Sequence, residues 1–417
     1  ERLTTTMKLV MQKCFAYLFV VTLCPGCVTE TVRTMDLSPP DRYQGVQQEA
    51  ELLDIGIKAL SANVPEDYDE RIEQIVLPEI RQAESSYIAY LVKNMLESSG
   101  NWGAVRMLPR ESDAVDLLVE GKILSSTGEE LAVEFTVTDA TGLEWFSRNY
   151  RELASKYGYQ EGLPPGVDAF QGLYRRFADD LLAYRKNLDG EDLRRIRSTS
   201  EVRFAATFAP EAFASALTST GGRYSLNRLP AETDPLFVQV QKVKEREYLF
   251  IDTMDGHYKN FQSQISPVYD AWRKASYNDA IEYKKLRQQA RRRLLAGTAA
   301  IAGSVAAIYE SDNAFVDAGG VAGVAGGATL IMKGLQKRQE AAQYADKLRE
   351  IGSAAEDELL PTTLDLENET IRLNGTLDEQ YAELRKVLKK IYLEEWGSDT
   401  FLDADARPEA EHRSISP

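Results

Sequence analysis

The amino-acid sequence predicts an α+β fold: an N-terminal sandwich of helices on an antiparallel sheet, a long and mostly helical region, and a small C-terminal β-hairpin plus helix. Three observations predict it. Apolar residues recur at helical spacing from residue 80, they alternate strictly between residues 115 and 137, and the helical period returns after residue 234. Strands followed by a run of helices are typical of α+β proteins.

The first 26 residues read as a leader and an export signal. Lys8 and Lys13 precede an apolar run over residues 15–23, which is too short to span a bilayer, and Gly26 stands directly before Cys27. This arrangement resembles the bacterial lipobox. Leu23, Gly26 and Cys27 match its pattern, whereas Cys24 and Pro25 differ from it.

The lipobox resemblance implies a lipoprotein whose signal peptide is removed and whose Cys27 carries diacylglycerol and palmitate. Val28, in place of Asp, resembles the outer-membrane sorting pattern, so we expect a lipid anchor in the cell outer membrane, facing the periplasm. An ordinary secretory signal or a plain membrane anchor is the alternative.

Composition excludes several classes of function. All three cysteines precede residue 28, so the mature chain forms no internal disulfide. The formal net charge of −16 argues against a nucleic-acid partner, because Lys and Arg supply most of the affinity for phosphates.

Residues 27–45 contain Pro39 and Pro40 without an apolar period and are predicted to be a lipidated tether. Residues 46–190 are predicted to form a docking domain. Its first helix ends at Gly100, its strands meet at a turn over residues 126–129, and a third strand covers residues 143–150. A second helix buries one face, formed by Phe170, Leu173, Tyr174, Phe177, Leu181 and Tyr184.

Residues 116–123, 131–142 and Trp145 follow a pattern of a strand to Gly121, a hairpin, a strand to Asp139-Ala140-Thr141-Gly142, and another strand. This block resembles the small α/β domain of the Tol translocation protein's amino-terminal region, of curli-secretion lipoproteins and of outer-membrane lipoproteins that activate cell-wall synthases. The resemblance implies a docking domain without catalysis.

Residues 191–233 are predicted to be a linker, and residues 234–293 a helical, coiled-coil-like body that begins at Asp234 and Pro235. Its apolar seam is spaced four and three alternately: Met254, Tyr258, Phe261, Ile265, Val268, Trp272 and Ala275. Pro267 is expected to kink or split the helix, which favours packing within the chain over a straight rod.

Residues 294–334 are predicted to form a Gly-rich apolar helical hairpin. Small residues lie four apart in each half, which places them on one helix face: Ala299, Gly303, Ala307, Gly319, Gly323 and Gly327. Basic residues border the hairpin: Arg291, Arg292, Arg293, Lys333 and Lys337.

Three interpretations of the hairpin stay open. It packs within the protein or against other copies, because its 16-residue first half rises only about 24 Å. Alternatively it inserts into a bilayer with its basic residues at the headgroups, or it is a flexible loop.

Residues 335–397 are predicted to form a helix and a small hairpin-plus-helix unit. Leu364, Leu366, Ile371 and Leu373 mark the hairpin, and Thr376 caps a helix that buries Tyr381, Leu384, Leu388 and Ile391. Residues 398–417 are predicted to be a disordered tail.

Nothing in the sequence indicates an enzyme, a cofactor or a metal site. His257 and His412 are the only histidines, no thiol follows Cys27, and no phosphate loop or nucleophile elbow occurs. Acidic pairs such as Asp179-Asp180 and Glu129-Glu130 are interpreted as solvated faces.

Three functions therefore remain as hypotheses. The first is a scaffolding component of an envelope assembly or export system that oligomerises through the hairpin. The second is a protein that inserts the hairpin into a membrane. The third is a regulator that binds a cell-wall enzyme through the wet sheet face around Glu134.

Overall fold

The computed structural model describes residues 34–45, 47–67, 70–71, 76–109, 115–160, 167–307, 346–347, 350, 362–366, 369–373 and 376–396. In the longest helix it describes the side chains as far as residue 278 and at residue 281. The chain divides into two units, Glu1–Thr34 and Met35–Pro417. All described residues except Thr34 belong to the second unit, and the following account concerns that unit.

A five-stranded mixed sheet forms the centre of the fold. Its strands are β1 (Ile55–Lys58), β2 (Val105–Leu108), β3 (Leu117–Ser126), β4 (Glu130–Asp139) and β5 (Glu144–Leu153), in the spatial order β2-β1-β3-β4-β5. The predicted antiparallel meander of β3, β4 and β5 is confirmed. The sheet is not purely antiparallel, because β1 runs parallel to both β2 and β3.

Two helices cover one face of the sheet. Helix α1 (Pro78–Ser99) begins with a proline and ends at Gly100, whose φ of 66° is the left-handed cap expected there. Helix α2 (Gln171–Arg185) lies beside it. The ring centroids of Phe135 on β4 and Phe177 on α2 are 4.5 Å apart, so the predicted dry face is the main core.

Residues 191–233, assigned above to a linker, are largely structured. They contain most of α3 (Gly190–Phe208), the short α4 (Pro210–Phe213), and the hairpin of β6 (Leu217–Thr220) and β7 (Arg223–Leu226). Helix α3 is capped by the Asp189 side chain, which accepts a hydrogen bond from the Asp192 N–H at 2.8 Å. Arginines stand between its apolar residues in the sequence, but the helix has a buried apolar face that includes Ile196 and Phe204.

The longest element is α5 (Pro235–Ala307), a single helix of 73 residues. Asp234 caps it as predicted, accepting from the Leu236 N–H at 2.9 Å. Pro267 does not split the helix, although it removes one backbone donor. The buried residues Ile265 and Tyr269, one on each side of that proline, both pack in the main core. The predicted seam packs within the chain, because Ile265 and Trp272 belong to the main core.

The C-terminal elements pack on α5. The strands β8 (Thr362–Leu366) and β9 (Glu369–Leu373) form the predicted hairpin, and α6 (Leu377–Trp396) follows. Thr376 and Glu379 exchange hydrogen bonds between side chain and backbone, which makes a capping box. Tyr381, Leu384 and Leu388 share a second core cluster with Phe250 of α5, so α6 has no separate core.

Residues 35–45, within the predicted tether, also pack against the domain. Arg175 of α2 forms ion pairs with Asp36 at 2.6 Å and with Asp179 at 2.7 Å. The Asp41 N–H donates to Asp179 at 2.8 Å. The length of chain free to act as a tether is therefore shorter than residues 27–45.

Candidate functional site

The structure places the predicted site residues in two groups. Ala299, Gly303, Ala307 and the three arginines at 291–293 lie on the helical backbone of α5, which agrees with the helix predicted for the first half of the hairpin. The remaining predicted site residues lie outside the described residues: Cys27, Gly319, Gly323, Gly327, Lys333 and Lys337.

The most elaborate polar site in the described chain is the contact between α5 and the sheet domain, called here the docking seam. It comprises Arg273, Tyr269 and Ser276 on α5 and Asp168, Glu84 and Gly128 on the domain. The Arg273 guanidinium is fully buried and donates to Asp168 at 2.5 Å. It also stacks 4.0 Å from the centroid of the Tyr269 ring and 4.9 Å from that of Phe170. A buried ion pair of this kind fixes one arrangement of the two elements.

Glu84 of α1 is the second buried anion of the docking seam. It accepts hydrogen bonds from the Tyr269 hydroxyl at 2.7 Å and the Ser126 hydroxyl at 2.6 Å, and Arg81 lies 3.1 Å away. Burial raises the pKa of Tyr269 well above its ordinary value, so this phenol is a donor at neutral pH. Helix α5 thus adds donors to two buried carboxylates that already have partners within the domain: Arg81 and Ser126 at Glu84, and the Phe170 N–H and the Tyr174 hydroxyl at Asp168.

The turn between β3 and β4 closes the docking seam. The Gly128 N–H donates to Ser276 at 3.1 Å, and the Tyr159 hydroxyl donates to the Gly128 carbonyl at 2.5 Å. A Cβ at position 128 would overlap the backbone carbonyl oxygen of Arg273 and the backbone nitrogen of Tyr277. The turn therefore touches the helix backbone directly, which explains a glycine at this position.

Further ion pairs hold the N-terminal half of α5. Arg106 of β2 makes a bidentate ion pair with Asp252, in which Nε and Nη2 donate at 2.6 and 3.3 Å. Its guanidinium carbon lies 4.3 Å from the Tyr248 ring centroid. Lys93 of α1 contacts Asp255 at 2.8 Å. These contacts and the docking seam fasten α5 to the domain over about 30 residues, a length of about 45 Å.

Helix α5 is also the support for α6. Glu247 is fully buried and accepts from the Tyr381 hydroxyl at 2.6 Å, while Arg385 lies 3.6 Å from its other oxygen. One helix thus joins the sheet domain to the C-terminal elements.

A polar strip remains on the second sheet face. Helix α5 contacts this face at β2, and the more distant strands carry polar side chains that are half-buried, at Glu134 and Thr136, or exposed: Glu120, Lys122, Ser147, Asn149 and Arg151. Thr136 and Ser147 share a hydrogen bond at 2.8 Å across β4 and β5. The face predicted to be wet is therefore partly covered and partly open.

Sequence reasoning missed the docking seam. Asp168 and Glu84 come from separate segments, and their approach to Arg273 depends on long-range folding. The one available signal was Arg273 itself, because it stands beside the apolar seam residue Trp272 on α5.

In the described part of the chain, no group of three His, Cys, Asp or Glu side chains is arranged to hold a metal ion. No helix among the described residues is both long and apolar enough to cross a bilayer. No family model, curated protein or solved structure matches the chain. What can be stated of its class is therefore structural: a mixed α+β protein in which one long helix is docked on a five-stranded sheet.

Proposed function

We propose that this chain is a non-enzymatic, outer-membrane-anchored lipoprotein that acts as a scaffolding component of an envelope assembly or export system and self-associates through its Gly-rich hairpin. The lipobox-like residues around Cys27 support the anchor. The stripe of small residues in segment 294–334 supports close helix packing between copies.

One observation carries the scaffolding role. Helix α5 is fastened to the domain through Ser276 and continues as helix to Ala307, so about 46 Å of helix follows this contact, and its last part, residues 294–307, already belongs to the Gly-rich segment. A continuous helix transmits position and orientation better than a flexible linker does. The α+β domain would dock a partner while the hairpin holds copies together.

The first test is the oligomeric state of the full chain with Cys27→Ser, measured by sedimentation velocity. We expect a defined oligomer that dissociates when residues 294–332 are deleted. Gly303→Leu should weaken it as well, because the added side chain prevents close backbone approach. Gly297→Leu is the matched control, since it makes the same chemical change about 120° away around the helix axis.

Liposome flotation of the same proteins distinguishes membrane insertion from scaffolding. A soluble oligomer that requires the hairpin supports the scaffold. Flotation of the Cys27→Ser protein that disappears with the deletion would overturn it in favour of a membrane-inserting protein.

The polar strip supports a second candidate, a regulator that docks on a cell-wall enzyme. Its open side chains have both signs of charge, which suits a specific polar interface. Under this function Glu134→Lys abolishes partner binding and Gly303→Leu does not. The reverse result supports self-association.

A further inference from the structure

Arg185, near the end of α2, is a buried cation without a carboxylate partner among the described residues. Its side chain is 3% exposed, and neither Nε nor Nη1 has a hydrogen-bond partner within the described ranges. Its remaining nitrogen, Nη2, reaches only the Glu51 carbonyl oxygen, at 3.4 Å. The Glu51 carboxylate is occupied elsewhere, because it pairs with Arg194 at 3.0 Å. Burial accordingly lowers the pKa of Arg185.

A second unpartnered donor lies beside this cation. The Trp102 side chain is 6% exposed, and its indole Nε1 has no hydrogen-bond partner in the part of the chain that the structure describes. The guanidinium carbon of Arg185 is 5.7 Å from the Trp102 ring centroid. Buried donors normally have an acceptor, and a buried charge without one costs far more than a neutral group. The guanidinium lies over this ring in a cation–π contact, which supplies no oxygen acceptor to the N–H groups of either side chain, and the positive charge favours an acceptor that is negatively charged.

The chain segment of residues 41–45, called here the cover, lies over these donors. The Tyr43 ring centroid is 5.1 Å from the Arg185 guanidinium carbon, and Tyr43 is 38% exposed. Asn101, next to Trp102, holds the cover by accepting from the Tyr43 N–H and donating to the Asp41 carbonyl, both at 2.8 Å. Because a few hydrogen bonds and one half-exposed ring hold the cover, a solute needs only a local opening to reach Arg185.

We propose that Arg185 and Trp102 form a binding site for a small oxyanion group, a phosphate or a carboxylate, and that the cover regulates access to it. The guanidinium supplies the charge and two donors, and the indole supplies a third donor. Arg is well suited to this role because its planar group binds phosphate and carboxylate oxygens with defined geometry. The site is separate from the docking seam and does not depend on the proposed scaffolding function.

The first experiment follows the indole N–H resonances of the full-length Cys27→Ser protein, labelled with ¹⁵N-tryptophan. Inorganic phosphate, acetate and glycerol phosphate are each titrated to millimolar concentrations at constant ionic strength. The Trp102 resonance is assigned as the one that is missing from the spectrum of the Trp102→Phe protein. We expect this resonance to shift in a saturable way. Response to both phosphates but not to acetate assigns a phosphate site, and the reverse response assigns a carboxylate site.

Arg185→Gln should weaken binding at least about tenfold, since it removes the charged donor. Arg176→Gln is the matched control, because Arg176 lies on the same helix with an exposed side chain. Trp102→Phe, measured by calorimetry, keeps the charge and should weaken binding less than Arg185→Gln. Tyr43→Ala should speed association.

Two results would overturn the proposal. One is the absence of any saturable shift in the Cys27→Ser protein without a further substitution, which would assign the donors to buried water. The other is equal binding by the Arg185→Gln and Arg176→Gln proteins when both retain their circular dichroism spectra.

Discussion

Two glycines of this chain should respond to alanine in opposite directions. At Gly128 a Cβ would overlap backbone atoms of α5, so Gly128→Ala should destabilise the fold by about 1–3 kcal/mol. At Gly256, inside α5, no described atom lies within 4 Å of the new Cβ apart from the adjacent residues and the helix's own backbone. Gly256→Ala should therefore stabilise the protein by roughly 0.5–1 kcal/mol, through helix propensity and a less flexible unfolded chain.

Urea unfolding of the two glycine variants at one pH provides the measurement. Each variant is the control for the other, because the chemical change is identical. An increase in the free energy of unfolding on Gly128→Ala would show that the β3–β4 turn is not in close contact with the backbone of α5.

Asp116 should give the stability a defined pH dependence. Burial raises the pKa of its carboxyl group, against the opposing charge of Lys244 and the hydrogen bond from the Asp54 N–H. The other charged groups acting on it are Asp54, which raises the pKa further, and Arg197, which lowers it. A folded-state pKa above the unfolded value means that the native state binds the proton more tightly.

The difference in unfolding free energy between the unmodified protein and Asp116→Asn should therefore change with pH. The Asp116 contribution is most unfavourable above the folded-state pKa, and it is relieved as the pH falls through that value towards the unfolded one. The unmodified protein should thus gain stability relative to Asp116→Asn between neutral and acidic pH. Urea titrations at several pH values test this, and a loss of stability of the unmodified protein relative to Asp116→Asn on acidification would contradict it.

At the scale of elements, the cover is held to the domain by few contacts and should be released by one substitution. Arg42 is already exposed, and Asn101→Ala removes the two hydrogen bonds that hold the backbone on both sides of it, so the cover can enter the active site of trypsin more readily. We expect cleavage after Arg42 to become at least about tenfold faster, because local opening controls proteolysis. Asn187→Ala is the control, since the Asn187 side chain donates only to the Ala183 carbonyl on the surface. Mass spectrometry of timed digests gives the rates, and equal rates would mean that other contacts hold the cover.

The elements that the sequence predicted well are those with local signals. Gly100 ends α1, the 126–129 turn joins β3 to β4, and Thr376 begins α6, each through hydrogen bonds or dihedral angles within a few residues. Helix α3 was missed because its apolar residues are interspersed with arginines. The parallel strand β1 was missed because it has only four residues and its partner β2 follows a whole helix.

The candidate sites show the same division between local and long-range information. The lipobox-like residues and the small-residue stripe are sequence patterns, and both stay predictions. The two contacts found in the structure, Arg273 with Asp168 and Arg185 with Trp102, join residues more than 80 positions apart. No local sequence pattern predicts them. Such pairs can be identified only when the burial of each side chain and the hydrogen-bond partners of its donors are known.

The whole molecule has a large negative charge, and this bears on how copies associate. The formal net charge is −16, and it becomes more negative if the basic leader is removed. Bringing such chains together costs electrostatic work at low salt, whereas apolar contacts between small-residue helix faces depend little on screening. Self-association through the hairpin should therefore strengthen as ionic strength rises from about 0.01 M to 0.15 M, over which the Debye length falls from about 30 Å to 8 Å.

Sedimentation equilibrium of the Cys27→Ser protein at these two ionic strengths measures the association constant. Association between the polar strip of one copy and oppositely charged groups of another would weaken with salt, because screening removes its main attraction. The sign of the salt dependence thus separates an apolar hairpin interface from a charged sheet interface. The Gly303→Leu protein completes the argument: under hairpin association it should remain largely monomeric at both ionic strengths, and under sheet association it should follow the unmodified chain.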